Sequence, residues 1–121
     1  VVRTDWLKQR LGDRAALLAG RLTLRQTAAM MSLADVYVGV DTGPTHIMST
    51  FDIPIVGLYH CVSTRADTGP LEHPFDFCID HPAAGACRDP ERPMAEITVD
   101  TVTRQIAAAL AARKSPPGGG A

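Results

Sequence analysis

Apolar residues recur at helical spacing in three parts of the chain. The first helix is predicted over residues 4–11, where Gly12 can end it. A second is predicted over residues 23–34, opened by a threonine-to-glutamine capping box. A last helix is predicted to begin after Thr98, which can cap it, and to run to Arg113 and Lys114, because cations are favoured at a helix C-terminus. The apolar stripes of these helices are Trp6, Leu7 and Leu11; Leu24, Ala28 and Met31; and Val99, Val102, Ile106 and Leu110.

Two β-branched apolar runs predict strands between the second helix and the middle of the chain. Residues 36–40 form one run, which we expect to be buried on both faces, and residues 53–59 form the other. A short helix predicted over 45–51 makes them a βαβ unit, which implies a parallel sheet. Residues 15–20 are expected to form a short buried strand or the entry to the next unit, and another strand is predicted for 75–79. The predicted class is therefore α/β, with a Rossmann-like parallel sheet flanked by helices.

Composition narrows the class of protein. The chain has 121 residues, of which 45% are hydrophobic and 21% charged, as expected of one globular domain over residues 1–114. The Pro- and Gly-rich residues 115–121 are expected to form a disordered tail. A net charge of −1 argues against a nucleic-acid binder. The sequence shows no signal peptide and no apolar run long enough for a transmembrane segment.

The cysteines favour a reducing compartment. Their odd number and wide spacing do not indicate a disulfide framework, so ordinary thiols are expected. Nearby histidines make a zinc site conceivable, but the spacings match no compact ligand pattern and we predict no metal. The residues concerned are Cys61, Cys78 and Cys87, with His60, His73 and His81.

The most informative segment is the turn at residues 41–46, between the first strand of the βαβ unit and its helix. Ligands of open α/β sheets bind outside the carboxyl ends of the strands. A helix N-terminus also offers unpaired N–H groups and partial positive charge, which suit a phosphate. Gly43 lets a ligand approach the backbone, and Pro44 suits the first helical turn. The competing interpretation is an ordinary helix start with no ligand.

The side chains of this turn suggest roles toward a nucleotide or sugar. Thr42 and Thr45 supply hydroxyl donors. His46 can hydrogen-bond a phosphate oxygen or a sugar hydroxyl. Asp41 suits a ribose or sugar hydroxyl, because a carboxylate repels a diphosphate.

Residues 20–58 resemble the C-terminal domain of the ADP-heptose:lipopolysaccharide heptosyltransferases, glycosyltransferase family 9. The resemblance lies in "ADVYVGVDTGPTH" followed by "DIPIVGLY". The beginning of the last helix also resembles the closing helix of that family, at Met94, Ile97, Thr98 and Val102.

This resemblance implies the C-terminal half of a two-domain GT-B glycosyltransferase. It implies an inverting transfer of heptose from ADP-heptose to the lipopolysaccharide core, with no metal or redox cofactor. The nucleotide-sugar donor would contact Asp41, Thr42, Gly43 and His46. No catalytic residue is expected in this chain, because the family's general base and acceptor site belong to an N-terminal domain. The chain is thus expected to be inactive alone, and to act in the cytoplasm or at the inner face of the inner membrane.

Four points leave alternatives open. The segment 59–64 departs from the Phe-Gly-Pro-like loop of the family, which leaves the transferred sugar undecided. A non-catalytic nucleotide-binding or partner-docking module would use the same scaffold. The triplet Asp41-Thr42-Gly43 also occurs in aspartic proteases, although the predicted helices argue against that fold. Arg65 is either a phosphate ligand or, more simply, a solvated loop residue.

Overall fold

The computed structural model describes residues 2–114, and the chain divides into two compact units, Val1–Met30 and Met31–Ala121. The predicted tail at 115–121 lies outside the described residues. None of the helices within residues 2–114 is long and apolar enough to cross a membrane.

The first unit contains helical segments. Helix α1 (Val2–Leu11) ends, as predicted, at a glycine, Gly12, whose φ of 57° favours that residue. Helix α2 (Leu24–Met31) begins with the predicted capping box, in which Thr23 and Gln26 exchange hydrogen bonds of 2.9 and 3.2 Å. The strand expected over 15–20 is wrong, since this alanine-rich run forms a turn and extended chain outside any sheet.

The second unit is built on a parallel sheet of three strands in the order β1-β2-β3. Strands β1 (Tyr37–Val40) and β2 (Ile55–Tyr59) pair in parallel, and helix α3 (Gly43–Met48) connects them. Strand β3 (Ile79–Asp80) pairs with the end of β2 and is shorter than the 75–79 prediction. The α/β class and the βαβ unit predicted from the sequence are confirmed.

Burial differs between the two longer strands. The central strand β2 is buried almost throughout, as a strand with neighbours on both sides should be. In β1, Val38 and Val40 are 43% and 46% exposed, so the expectation that both faces are buried is wrong. The core of this unit lies on the other side of β1 and comprises Met48, Ile53, Ile55, Tyr59 and Cys78.

One further helix follows β2 and another follows β3. Helix α4 (Arg65–Thr68) is one turn long, and helix α5 (Val99–Lys114) ends the described chain. The predicted cap of α5 is confirmed, because Thr98 Oγ1 accepts the N–H of Thr101 at 3.2 Å. The apolar stripe is only partly right, because Val99 is exposed and Ala109 is the fully buried position.

Hydrogen bonds of three histidine side chains hold the irregular segment between β2 and α5 in place. Each Nδ1 accepts the N–H of the residue two positions later, so each Nε2 carries the hydrogen. In His60 and His73 that Nε2 donates to a distant backbone carbonyl, of Arg92 at 2.8 Å and of Phe51 at 2.7 Å. In His81 the nearer partner of Nε2 is Glu96 Oε2 at 2.8 Å, and the carbonyl oxygen of Pro93 lies 3.2 Å away. Both ring nitrogens are thereby occupied, which leaves these rings no lone pair for the conceivable zinc site.

A disulfide bond joins Cys61 and Cys87, with Cα atoms 5.6 Å apart. This corrects the expectation of ordinary thiols, which rested on sequence spacing. The fold brings the two residues together across a separation of 26 positions, which spacing does not reveal. Cys78 is a free buried cysteine, and burial raises the pKa of its thiol to about 12.

The disulfide determines how many thiols of each chain can react with a thiol reagent. In denaturant without a reductant, we expect one thiol per chain to react with a chromogenic disulfide reagent, and three after reduction. In the native state Cys78 should react slowly at about pH 8, because its buried thiol stays protonated. The Cys78→Ser variant is the control, since it should show no reactive thiol before reduction. Three reactive thiols without a reductant would contradict the pairing.

Candidate functional site

The carboxyl ends of the parallel strands bring three polar segments to one edge of the sheet. Asp41 follows β1 directly, residues 60–64 and α4 follow β2, and Asp80 ends β3. We call this edge, from Asp41 to α4, the carboxyl edge. Its position agrees with the sequence-based expectation for the 41–46 turn.

The Asp41 carboxylate is held by two hydroxyl groups at the carboxyl edge. Its Oδ2 accepts hydrogen bonds from Ser63 Oγ at 3.2 Å and from Thr68 Oγ1 at 2.9 Å. Neither Ser63 nor Thr68 was predicted from the sequence to belong to the site. Only their position in the chain could have indicated them. Both follow β2, and the parallel pairing of β1 with β2 brings the carboxyl ends of the two strands together.

His46 is the more accessible side chain of the predicted site. It is 59% exposed, against 28% for Asp41, and its Nε2 lies 3.7 Å from Asp41 Oδ1. This separation is longer than a hydrogen bond, so the imidazole is not locked onto the carboxylate. His46 also lines a cavity of about 410 Å³, together with Ser49 and residues 67–71. A cavity of that size is within the usual range for small-molecule sites.

Thr45 does not have the role that the sequence suggested. It is buried, and its hydroxyl donates to the carbonyl oxygen of Val40. Since a hydroxyl has one hydrogen, the 3.0 Å contact between Tyr37 Oη and Thr45 Oγ1 has tyrosine as donor. The Tyr37 side chain passes over Gly39, where an added Cβ would collide with the phenol. Thr45 therefore fastens α3 to β1 and is not available to a ligand.

Thr42 and Gly43 form the exposed start of α3. Thr42 is the N-cap residue, but its hydroxyl lies 3.4 Å from the carbonyl oxygen of Val40 instead of capping the helix. A Cβ added at Gly43 would meet open space, so the glycine is not required by packing. Pro44 occupies the first helical turn, as predicted. The helix that begins here replaces the strand expected in an aspartic protease.

Helix α4 is fixed independently of Asp41. At its start, the N–H and the hydroxyl of Thr64 both donate to Asp67 Oδ2 at 2.9 Å. These hydrogen bonds, the backbone one first, lower the pKa of the Asp67 carboxyl from its ordinary value. The capping box stabilises a helix that would otherwise be too short to persist.

Arg65 connects α4 to the end of the sheet. Its Nη2 lies 2.7 Å from Asp76 Oδ2, and its backbone N–H donates to Asp80 Oδ1 at 2.8 Å. The guanidinium thus has a carboxylate partner within the protein. The Arg65 side chain is 43% exposed, so it remains partly solvated while it makes this ion pair.

Comparison with known proteins gives two matches to one family. The family model for glycosyltransferase family 9 (heptosyltransferase) matches residues 2–98. The lipopolysaccharide core heptosyltransferase OpsX of Haemophilus influenzae is 40% identical over 42 residues, which cover 35% of this chain and 12% of that protein. The chain thus matches only a small part of the length of this relative. No solved structure matches significantly.

The two threonines of the 41–46 turn should respond differently to loss of the hydroxyl. Thr45→Val should lower the free energy of unfolding by about 1–3 kcal/mol, because it removes a buried hydroxyl and leaves the partly buried Tyr37 hydroxyl without its acceptor. Thr42→Val, at an exposed position, should change it by no more than about 0.5 kcal/mol. Urea unfolding followed by circular dichroism measures both. Equal losses in the two variants would contradict the assignment of Thr45 as the structural hydroxyl.

Proposed function

This chain belongs to glycosyltransferase family 9, and from that membership we propose that it is the donor-binding domain of an inverting heptosyltransferase. The proposed donor is ADP-heptose and the proposed acceptor is the lipopolysaccharide core. The observation that carries the proposal is the position of Asp41 and His46. They lie together at the carboxyl edge of a parallel sheet, and His46 opens onto a cavity of about 410 Å³.

The diphosphate of the donor is proposed to lie against the start of α3. The backbone at Gly43 has open space in front of it, so phosphate oxygens can approach the first helical turn. Negative charge builds on the departing ADP as its bond to the sugar breaks. Hydrogen-bond donors of the protein that are already oriented toward that charge stabilise the transition state more than the ground state.

Asp41 and His46 are proposed to form hydrogen bonds with hydroxyl groups of the nucleotide sugar. A carboxylate accepts hydrogen bonds and repels a diphosphate, so Asp41 is matched to a hydroxyl group. His46 is exposed and not locked onto Asp41, so its ring can turn toward a phosphate oxygen or a sugar hydroxyl. With Thr42 and Gly43 they complete the proposed donor site.

The remaining parts of the reaction are proposed to lie outside this chain. OpsX, the relative that matches, is named a lipopolysaccharide core heptosyltransferase, which supports that acceptor class. We propose that residues 1–114 act as one donor-binding region and that an N-terminal domain supplies the general base and the acceptor site. The isolated chain should then bind donor without turnover. The proposed location is the cytoplasm, either free in solution or at the inner face of the inner membrane.

The His46→Ala variant tests this proposal. We expect ADP-heptose to bind roughly five- to tenfold more weakly, as for loss of one polar contact of about 1 kcal/mol. The unfolding temperature should not change, because the imidazole is 59% exposed and packs little. Titration calorimetry measures the affinity. Asp52→Ala, at an exposed position beyond the far end of α3, is the control and should bind like the wild type.

The Gly43→Val variant tests the placement of the diphosphate. An added side chain meets open space in the free protein, so the fold should be unaffected. It would occupy the space proposed for phosphate, so ADP and ADP-heptose should both lose more affinity than in His46→Ala. Wild-type affinity in this variant would overturn the placement of the phosphates. Equal binding of ADP, ADP-heptose and unrelated nucleotides by the wild type would instead favour a non-catalytic nucleotide-binding module.

A further inference from the structure

The two oxygens of the Asp41 carboxylate have different surroundings. Oδ2 accepts two hydrogen bonds, from Ser63 and Thr68. Oδ1 is 3.7 Å from the His46 imidazole, on the side of the exposed ring. One oxygen is thus occupied by the protein, and the other has acceptor capacity remaining.

The two hydroxyl donors reach Oδ2 from separate parts of the chain. Ser63 lies in the tight turn after β2, closed by its own N–H donating to the carbonyl oxygen of His60 at 3.2 Å. Thr68 is the last residue of α4. Because two donors fix one oxygen, the direction of the other oxygen is fixed as well.

The backbone positions of these donors do not depend on Asp41. Arg65 ties α4 to Asp76 and Asp80, and the Thr64–Asp67 capping box holds its first turn. The disulfide at Cys61 holds the loop that carries Ser63. The two hydroxyl groups therefore donate their hydrogen bonds to the Asp41 carboxylate from fixed positions.

We propose that Ser63 and Thr68 are positioning residues that orient Asp41. In this orientation, Asp41 Oδ1 accepts a hydrogen bond from a hydroxyl group of the nucleotide-sugar donor. This inference rests on the proposed function and deepens it. The ligand group is a hydroxyl because an acceptor-only carboxylate repels phosphate oxygens. The hydroxyl belongs either to the transferred sugar or to the ribose, and the two sources give different binding patterns.

The test removes the hydroxyls while keeping the shape of the side chains. Thr68→Val and Ser63→Ala should each weaken binding of ADP-heptose about threefold, and the double variant about tenfold. Thr68→Ser retains the hydroxyl and should restore affinity to within about twofold of the wild type, which a purely steric role of Thr68 would not allow. If the hydroxyl is on the sugar, binding of ADP alone stays unchanged. If it is on the ribose, ADP loses affinity by the same factor.

An Asp41→Asn background separates positioning from a general effect on the fold. If the hydroxyls act through the carboxylate, Thr68→Val should cause little further loss in that background. Fully additive losses, or unchanged affinity in the Ser63/Thr68 double variant, would overturn the inference. A wild-type chain that binds neither ADP-heptose nor ADP would instead overturn the proposed function. The two failures are thus distinguishable, and circular dichroism of each single variant checks folding.

Discussion

The parallel pairing of β1 with β2 is the constraint on which the candidate site depends. Parallel strands end at the same edge of a sheet, so the residues after Val40 and after Tyr59 must meet there. The chain has to cross back between the strands, and α3 does so. A turn that carries Asp41 and starts a helix is consequently placed beside the loop that follows β2. The buried hydroxyl of Thr45 then fixes the angle at which α3 leaves β1.

The irregular segment after β2 has its own means of staying in place. It has little regular secondary structure, so its order comes from side chains that bind distant backbone groups. The hydrogen bonds of the three histidines and the Cys61–Cys87 disulfide hold its loops. The ion pair of Arg65 with Asp76 holds α4. This matters to the candidate site because the hydroxyls that contact Asp41 come from this segment. A loop free to move would not keep a carboxylate in one orientation.

The sequence predicted what depends on local pattern. The βαβ unit, the glycine that ends α1, the capping box of α2 and the turn at 41–46 all follow from residue types a few positions apart. Contacts between distant positions were not predictable: Ser63 and Thr68 lie 22 and 27 residues from Asp41, and Cys61 and Cys87 are 26 apart. The exposed face of β1 was missed because an apolar run indicates a strand but not which of its faces is covered. The role of Thr45 was misjudged for a similar reason, since a hydroxyl in a turn has no sign of burial in the sequence.

The turn at residues 41–46 is the part of the chain proposed to bind the nucleotide-sugar donor. The most direct test of this binding is a titration of the isotope-labelled chain with ADP-heptose, ADP, a UDP-sugar and NAD, followed through backbone amide chemical shifts. NMR detects binding even near millimolar affinity, about −4 kcal/mol. We expect shifts centred on Thr42, Gly43 and His46, extending to Ser63 and Thr68, and largest with ADP-heptose. Unchanged amide signals of these residues with every ligand, or shifts centred elsewhere in the chain, would contradict donor binding at this turn.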